Sequence, residues 1–200
     1  MRGLITMILM LSAVACHSQS TYPGWLERLD QEDIYFSIEE AMESPDDVVR
    51  LHLRRKKLTK LPKEVFELPN LKELDISKNK FTELPAEIGQ LKNLKKLVAI
   101  KNKMTSVNPA IGELKDLRHL ILNQNDLSTL PTEIAQCEEL EYIDLWSNEI
   151  TGFPMSMKKM VSLQEVDLRV IQFTVYEMDR IKKALPNILI QVSEDCNCAN

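Results

Sequence analysis

A register of 23 residues, repeated from Val48 to Ser162, leaves this chain few ways to fold. Laid on that register, Leu71-Lys72-Glu73-Leu74-Asp75-Ile76-Ser77-Lys78-Asn79-Lys80-Phe81 recurs in pattern as Leu94 to Met104, Leu117 to Leu127 and Leu140 to Ile150. The shared form is L-x-x-L-x-L-x-x-N-x-L. Its middle alternates, so each unit begins with a short strand in which Leu74 and Ile76 point inward and Glu73, Asp75 and Ser77 outward. One unit cannot bury its apolar side alone, whereas stacked units bury a continuous core. Such an array has no deep closed pocket. It builds one long open surface, of the kind repeat proteins use to hold other macromolecules.

Five full units start at Val48, Leu71, Leu94, Leu117 and Leu140, and a sixth at Leu163 decays after Leu168. Ala99 takes the inward slot held elsewhere by Leu53, Ile76, Leu122, Leu145 and Leu168, which predicts a locally thinner core. Asn79, Asn102, Asn125 and Asn148 form a column where the chain must turn sharply after each strand. An amide side chain both donates and accepts, and so can serve the backbone groups the turn frees. Lys56 and Ile171 replace asparagine at the two ends of the column. The second half of a unit reads Leu84-Pro85-Ala86-Glu87-Ile88-Gly89-Gln90-Leu91. Pro62, Pro85, Pro131 and Pro154 suit the first position of a short helical turn, with Glu64, Glu87 and Glu133 near its positive end.

The array needs caps, because its end units would otherwise expose core. Ser37-Ile38-Glu39-Glu40 is a capping box opening a helix over Ile38 to Glu43, which stops before Ser44-Pro45. Thr174-Val175-Tyr176-Glu177 is a second capping box, leading a helix to about Ala184. Pro186-Asn187 then turns the chain into an edge strand over Ile188 to Val192.

The first 16 residues stand apart. Arg2 is their one charge, Gly3 to Ala15 is an apolar run too short to span a bilayer, and small residues lead to Cys16. That order is a secretory signal. A cysteine directly after the small residues resembles a bacterial lipoprotein signal, which is cleaved before the cysteine and acylated on it, although Ala13 stands where leucine is usual. Plain secretion, or a segment that is not a signal, are the other readings. The segments are then 1–15 signal, 16–36 tether, 37–47 N-terminal cap, 48–170 repeats and 171–200 C-terminal cap and tail. Cys137 stands where other units have Leu68, Leu91 and Leu114, and so reads as a small buried hydrophobe. Cys196 and Cys198 read as accessible thiols or a local bridge in a loose tail, with too few neighbours for a metal site.

Over residues 48–168 the signature, with its L-P-x-E-I-G-x-L second half, resembles the leucine-rich repeat class of bacterial surface and secreted proteins and of intracellular Ras-scaffold and plant Ras-group relatives. The amino-terminal helix, Pro45 and the entry strand resemble the cap of bacterial leucine-rich repeat lipoproteins. The resemblance implies an α/β fold: a solenoid forming a short curved arc, with a parallel concave sheet, an N-terminal helical cap and a C-terminal helix-strand cap. It also implies protein binding, without fixing a partner or supplying any functional residue.

Three outward columns line the concave face. The first is Arg50, Glu73, Lys96, His119, Tyr142 and Glu165; the second is His52, Asp75, Val98, Ile121, Asp144 and Asp167; the third is Arg54, Ser77, Ile100, Asn123, Trp146 and Arg169. Val98, Ile100, Ile121, Tyr142 and Trp146 therefore form an outward apolar cluster, flanked by Arg50, His52 and Arg54 on one side and Asp144, Glu165 and Asp167 on the other. A contiguous outward apolar patch points to binding, and tyrosine and tryptophan are enriched in interface hot spots. Packing of these side chains on one another across strands is the competing reading. The candidate binding residues are Val98, Ile100, His119, Ile121, Tyr142, Asp144, Trp146 and Asp167. A basic edge of Arg54, Arg55, Lys56, Lys57, Lys78, Lys80, Lys101 and Lys103 lies just past the strands. It reads as a solvated face or as a contact for anionic lipid, glycan or acidic protein.

Catalysis is not expected. His119 and Asp144 lie on neighbouring strands, but no hydroxyl or thiol nucleophile stands beside them, and no phosphate-binding glycine motif is present. No metal or cofactor is expected either, since neither His52 nor His119 has a second histidine or cysteine in reach. A net charge of −5 and a basic edge without interleaved aromatics argue against nucleic acid. The leading expectation is a non-enzymatic protein-binding module, lipid-anchored through Cys16 at a bacterial cell envelope, its partner held on the concave face. The alternatives are an envelope-associating structural protein whose basic edge meets anionic lipid or glycan, and an intracellular small-GTPase scaffold if residues 1–16 are not a signal.

Overall fold

In the computed structural model, residues 29–193 are described. The signal, Cys16, most of the tether, Cys196 and Cys198 lie outside the described residues. The chain divides into two units, Met1–Gln31 and Glu32–Asn200, and the second holds the repeats.

Alternation over three residues gives each repeat one short strand: β2 (Arg50–His52), β3 (Glu73–Asp75), β4 (Lys96–Val98), β5 (His119–Ile121), β6 (Tyr142–Asp144) and β7 (Glu165–Asp167). β1 (Ile34–Tyr35) precedes them and β8 (Leu189–Gln191) follows. All eight lie side by side in chain order as one parallel sheet. Pairing follows the register: Arg50 lies opposite Glu73, Glu73 opposite Lys96, Lys96 opposite His119, His119 opposite Tyr142, and Tyr142 opposite Glu165. Parallel neighbours need a return path, and each of the five paths from β2 to β7 carries a 3-10 turn: Lys63–Glu67, Ala86–Gln90, Pro109–Glu113, Thr132–Gln136 or Met155–Lys159. Strands repeat at about 4.8 Å, while the return side is filled by bulkier turns, so the stack bends with the sheet on its concave side.

The prolines sit one place earlier than the sequence suggests. Pro62, Pro85, Pro131 and Pro154 precede the turn in extended backbone, and their carbonyls accept the first turn bonds, from Val65, Ile88, Ile134 and Met157. Among the five repeat turns only Pro109 takes the first turn position, where Asn108 caps the Ala110 amide at 3.0 Å. Turns of successive repeats approach closely: a Cβ on Gly112 would lie 2.5 Å from the Glu133 carbonyl oxygen, so glycine is required there.

The core lies between sheet and turns, in columns such as Leu51, Leu74, Leu97, Leu120, Ile143 and Val166, all fully buried. Ala99 is fully buried as well. The asparagine column forms a ladder. Asn125 Nδ2 donates to the Ala99 and Leu122 carbonyls at 2.9 and 2.8 Å, and its Oδ1 accepts from the Met104 amide at 3.1 Å. Asn79, Asn102 and Asn148 make the same three bonds in their own repeats. The residue before each ladder position, from Arg55 through Lys78, Lys101, Gln124 and Ser147 to Val170, has φ between +54° and +66°, the left-handed conformation that makes the turn sharp. Asn125→Ala strands one buried amide and two carbonyls, and is expected to lower stability by roughly 1–3 kcal/mol. An unchanged urea midpoint would contradict the ladder.

The ends close as capped elements. α1 (Ile38–Ala41) is shorter than expected; Ser37 Oγ accepts from the Glu40 amide at 3.1 Å, but the Glu40 carboxylate reaches back to the Phe36 amide at 2.9 Å rather than to Ser37. The tether assigned to 16–36 also ends early, because Ile34–Tyr35 pairs with Arg50–Leu51 as β1. At the other end α2 (Val175–Ala184) carries the full capping box, with Thr174 and Glu177 each bonding the other's backbone amide. β8 then adds to β7.

Candidate binding face

The sheet register brings the expected columns together. Val98 pairs with Ile121, Ile121 with Asp144, and Asp144 with Asp167. The His119 and Tyr142 rings meet edge-on with centroids 5.6 Å apart. The eight candidate residues thus occupy four adjacent strands and their ends.

They do not contribute equally to the surface. Val98, His119 and Asp167 are 6%, 4% and 1% exposed, so their neighbours cover them and they offer a partner almost no area. That corrects the expectation for these three: long side chains on strands about 4.8 Å apart roof the shorter or central ones. Ile100, Ile121, Tyr142, Asp144 and Trp146 are half-buried and keep an accessible side. The face left open is an apolar and aromatic strip over β4 to β6, with Asn123 and Asp144 as its polar members.

The charged flanks are also built differently from a simple dipole. Glu73, in the middle of the basic flank, is 2% exposed. Its Oε2 takes the Arg50 Nε at 2.9 Å; its Oε1 lies 2.9 Å from His52 Nε2 and 3.6 Å from Lys96 Nζ. Burial pushes this carboxyl up, but the His52 hydrogen bond and the Lys96 and Arg50 charges outweigh it and hold it at about 2. Arg54 Nε likewise lies 3.4 Å from Asp75. The basic flank is therefore largely neutralised within the face.

On the acidic flank, Asp167 is bound by the Arg169 guanidinium through Nε at 3.0 Å and Nη2 at 2.6 Å. Asp144 accepts from the Asn123 side chain and from the Trp146 amide at 3.0 Å, and Glu165 accepts from Gln191. Burial raises Asp144 and Glu165, and the Asp167 charge adds to the rise in both. Asp75, Asp144 and Asp167 share a backbone duty: each accepts the amide of the residue two places on, Ser77, Trp146 and Arg169. Where Val98 stands instead, the Ile100 amide turns to Ser77 Oγ at 3.1 Å. The signal for this role was aspartate recurring at one register position, followed two residues later by a strand-end amide. Sequence reasoning saw only the charges.

Burial, then the Lys96 and Arg118 charges, bring the His119 imidazole down to about 4, so it is neutral at pH 7. Burial pushes the Cys137 thiol up to about 12, and its Sγ donates to the Ile111 carbonyl at 3.2 Å inside the core. Among the described residues no group of three or more His, Cys, Asp or Glu is placed to hold a metal, and no helix is long and apolar enough to cross a membrane. What the strip offers chemically is apolar contact area with hydrogen-bonding groups at its border.

The leucine rich repeat family model matches residues 47–104. A leucine-rich repeat protein of Leptospira interrogans is similar at 29% identity and a TM-score of 0.64, over 81% of this chain and 46% of that one. The ectodomain of the Arabidopsis thaliana receptor kinase GASSHO1/SCHENGEN3, solved in complex with CASPARIAN STRIP INTEGRITY FACTOR 2, is 24% identical with a TM-score of 0.57, over 80% of this chain and 19% of the ectodomain. InlP of Listeria monocytogenes is 20% identical with a TM-score of 0.56, over 70% of this chain and 38% of InlP. The chain thus spans less than half the length of each of these structures. No curated relative matches it.

Proposed function

The chain is a leucine-rich repeat protein, and from that premise we propose a non-enzymatic protein-binding module, lipid-anchored through Cys16 at a bacterial cell envelope, that holds its partner on the concave face. Leucine-rich repeat domains typically bind proteins and are generally not enzymes. The observation that carries the reading is the half-open strip of Ile121 and Tyr142 on two adjacent strands with Ile100 and Trp146 just past the strand ends, outward on a sheet whose other outward side chains are mostly polar. Burial of large, stiff aromatic side chains is the usual source of interface energy. Asp144 and Asn123 border the strip and would fix a partner's register through hydrogen bonds. Anchoring is supported by the sequence of residues 1–16 alone.

Two experiments separate the parts of the proposal. Intact mass of the protein recovered from envelopes should show loss of residues 1–15 and acylation of Cys16; a chain starting at Met1 would end the anchoring reading. A photo-reactive residue at Ile100 should cross-link a protein partner, while one at Glu87, on the return side, should not. Cross-linking of the same partner from Glu87 alone would move the site off the concave face.

A further inference from the structure

Just beyond the strand ends, the positions on either side of the asparagine ladder carry Arg55, Lys78 and Lys101 in one row and Lys57, Lys80 and Lys103 in the other. The backbone holds both rows in place. In the first, the Arg55 and Lys78 amides donate to the Ser77 and Ile100 carbonyls at 3.1 and 2.7 Å. In the second, the Lys80 and Lys103 amides donate to the Leu58 and Phe81 carbonyls at 2.8 and 2.9 Å. Neighbouring rungs of such a sheet repeat at about 4.8 Å, so each row presents three cations at close to that spacing.

All six are exposed except Lys78, which is half-buried. Among the described residues none of them lies within salt-bridge distance of a carboxylate, whereas Arg50, Arg54, Lys92, Arg118, Arg169 and Lys183 each have an acidic partner. The ridge then stops abruptly: the next two repeats place Gln124 and Ser147 in the first row, and Asp126 and Glu149 in the second. Six like charges held this close repel one another, and among the described residues no ion pair offsets that repulsion.

We propose that this ridge is a docking surface for the anionic headgroups of a lipid bilayer. Five of the six cations are lysines, compact charges on flexible stems that can follow a fluid plane of headgroups, rather than the rigid forks with which arginine reads a fixed phosphate. No aromatic side chain is interleaved with them, so the stacking that holds nucleic-acid bases is missing. The net charge of −5 does not forbid the contact. At physiological ionic strength, charges are screened beyond about 8 Å, so acidic groups farther off than that weigh little at the ridge. The contact is separate from the concave strip and independent of acylation.

The test uses residues 16–200, the chain expected after cleavage, carrying Cys16→Ser, so that neither an acyl chain nor the apolar run Gly3 to Ala15 brings it to lipid. It is sedimented with vesicles of mixed phosphatidylcholine and phosphatidylglycerol, and with vesicles of phosphatidylcholine alone. Binding is expected to the mixed vesicles only and to weaken as salt rises. Each basic residue removed from the surface should weaken it by about fivefold, so Lys80→Glu/Lys103→Glu should weaken it by about 25-fold or more. Lys158→Glu/Lys182→Glu makes the same change of net charge away from the ridge and should leave binding close to that of the parent. Equal binding to both vesicles, binding to neither, or equal loss in the two double variants would each overturn the proposal. Retention on an acidic polysaccharide without vesicle binding would overturn it too, and reassign the ridge to a glycan.

Discussion

Glu73→Gln is expected to lower the stability of the fold by about 3–5 kcal/mol at pH 7, the usual cost of removing one member of a buried ion pair. The carboxylate is 2% exposed and is the common partner of Arg50, His52 and Lys96, which come from the strands on either side of it. Glutamine keeps the shape and some of the hydrogen bonds but removes the one negative charge that Arg50 and Lys96 share. Arg50 Nη1 also reaches the Glu32 carbonyl at 3.3 Å, which favours the lower end of the range. Acid titration gives an independent check. The folded carboxyl is held at about 2, below its ordinary 4.5, so its contribution is complete above pH 4.5 and is lost as pH falls toward 2. The stability difference between wild type and Glu73→Gln, read from urea midpoints, should therefore be constant from pH 7 to 5 and shrink below that. A difference that is small at pH 7, or does not change with acidity, would show that the cluster is solvated.

The second large effect is carried by His119. Its imidazole is brought from 6.5 to about 4 in the folded chain, first by burial and then by the Lys96 and Arg118 charges. A histidine whose folded value is depressed binds fewer protons in the native state than in the unfolded chain over that window, so stability falls as pH drops from about 6.5 to 4. At about 1.4 kcal/mol per unit, the loss is roughly 3 kcal/mol. Asp144 and Glu165, both raised by burial, act in the opposite direction at the acid end and blunt the total. His119→Phe keeps a ring against Tyr142 and removes the titration. Whatever its offset at pH 7, its stability should decline less than that of wild type between pH 6.5 and 4, by roughly 3 kcal/mol. Parallel curves for the two proteins would place His119 in water.

Both residues show where the sequence was readable and where it was not. Strand positions, register and facing could be read because each depends only on a backbone repeating every 23 residues; Glu73 opposite Lys96 follows from that period alone. The ladder was readable for the same reason, since an amide recurring at one turn position has one efficient use. The Thr174–Glu177 box and β8 came from local chemistry of a few residues. What remained hidden depends on side-chain reach. Nothing in the columns says that Glu73 gathers Arg50, His52 and Lys96, or that Asp167 sits 1% exposed beneath the Arg169 guanidinium. Val98 and His119 face outward as the pattern requires, yet lie roofed by neighbours. Facing is a property of the backbone, whereas accessibility belongs to the whole set of side chains around it. The candidate site was thus legible as a location and less so as a surface.

The most direct test of the central claim is a cross-linked pull-down from cell envelopes, comparing wild type with Tyr142→Ala/Trp146→Ala of matched unfolding midpoint. Both rings are half-buried on the open strip, and together they supply most of its aromatic area. Recovery of a protein partner with wild type, reduced at least tenfold with the double variant, is the predicted result. Equal recovery with both proteins would contradict a binding site on the concave face.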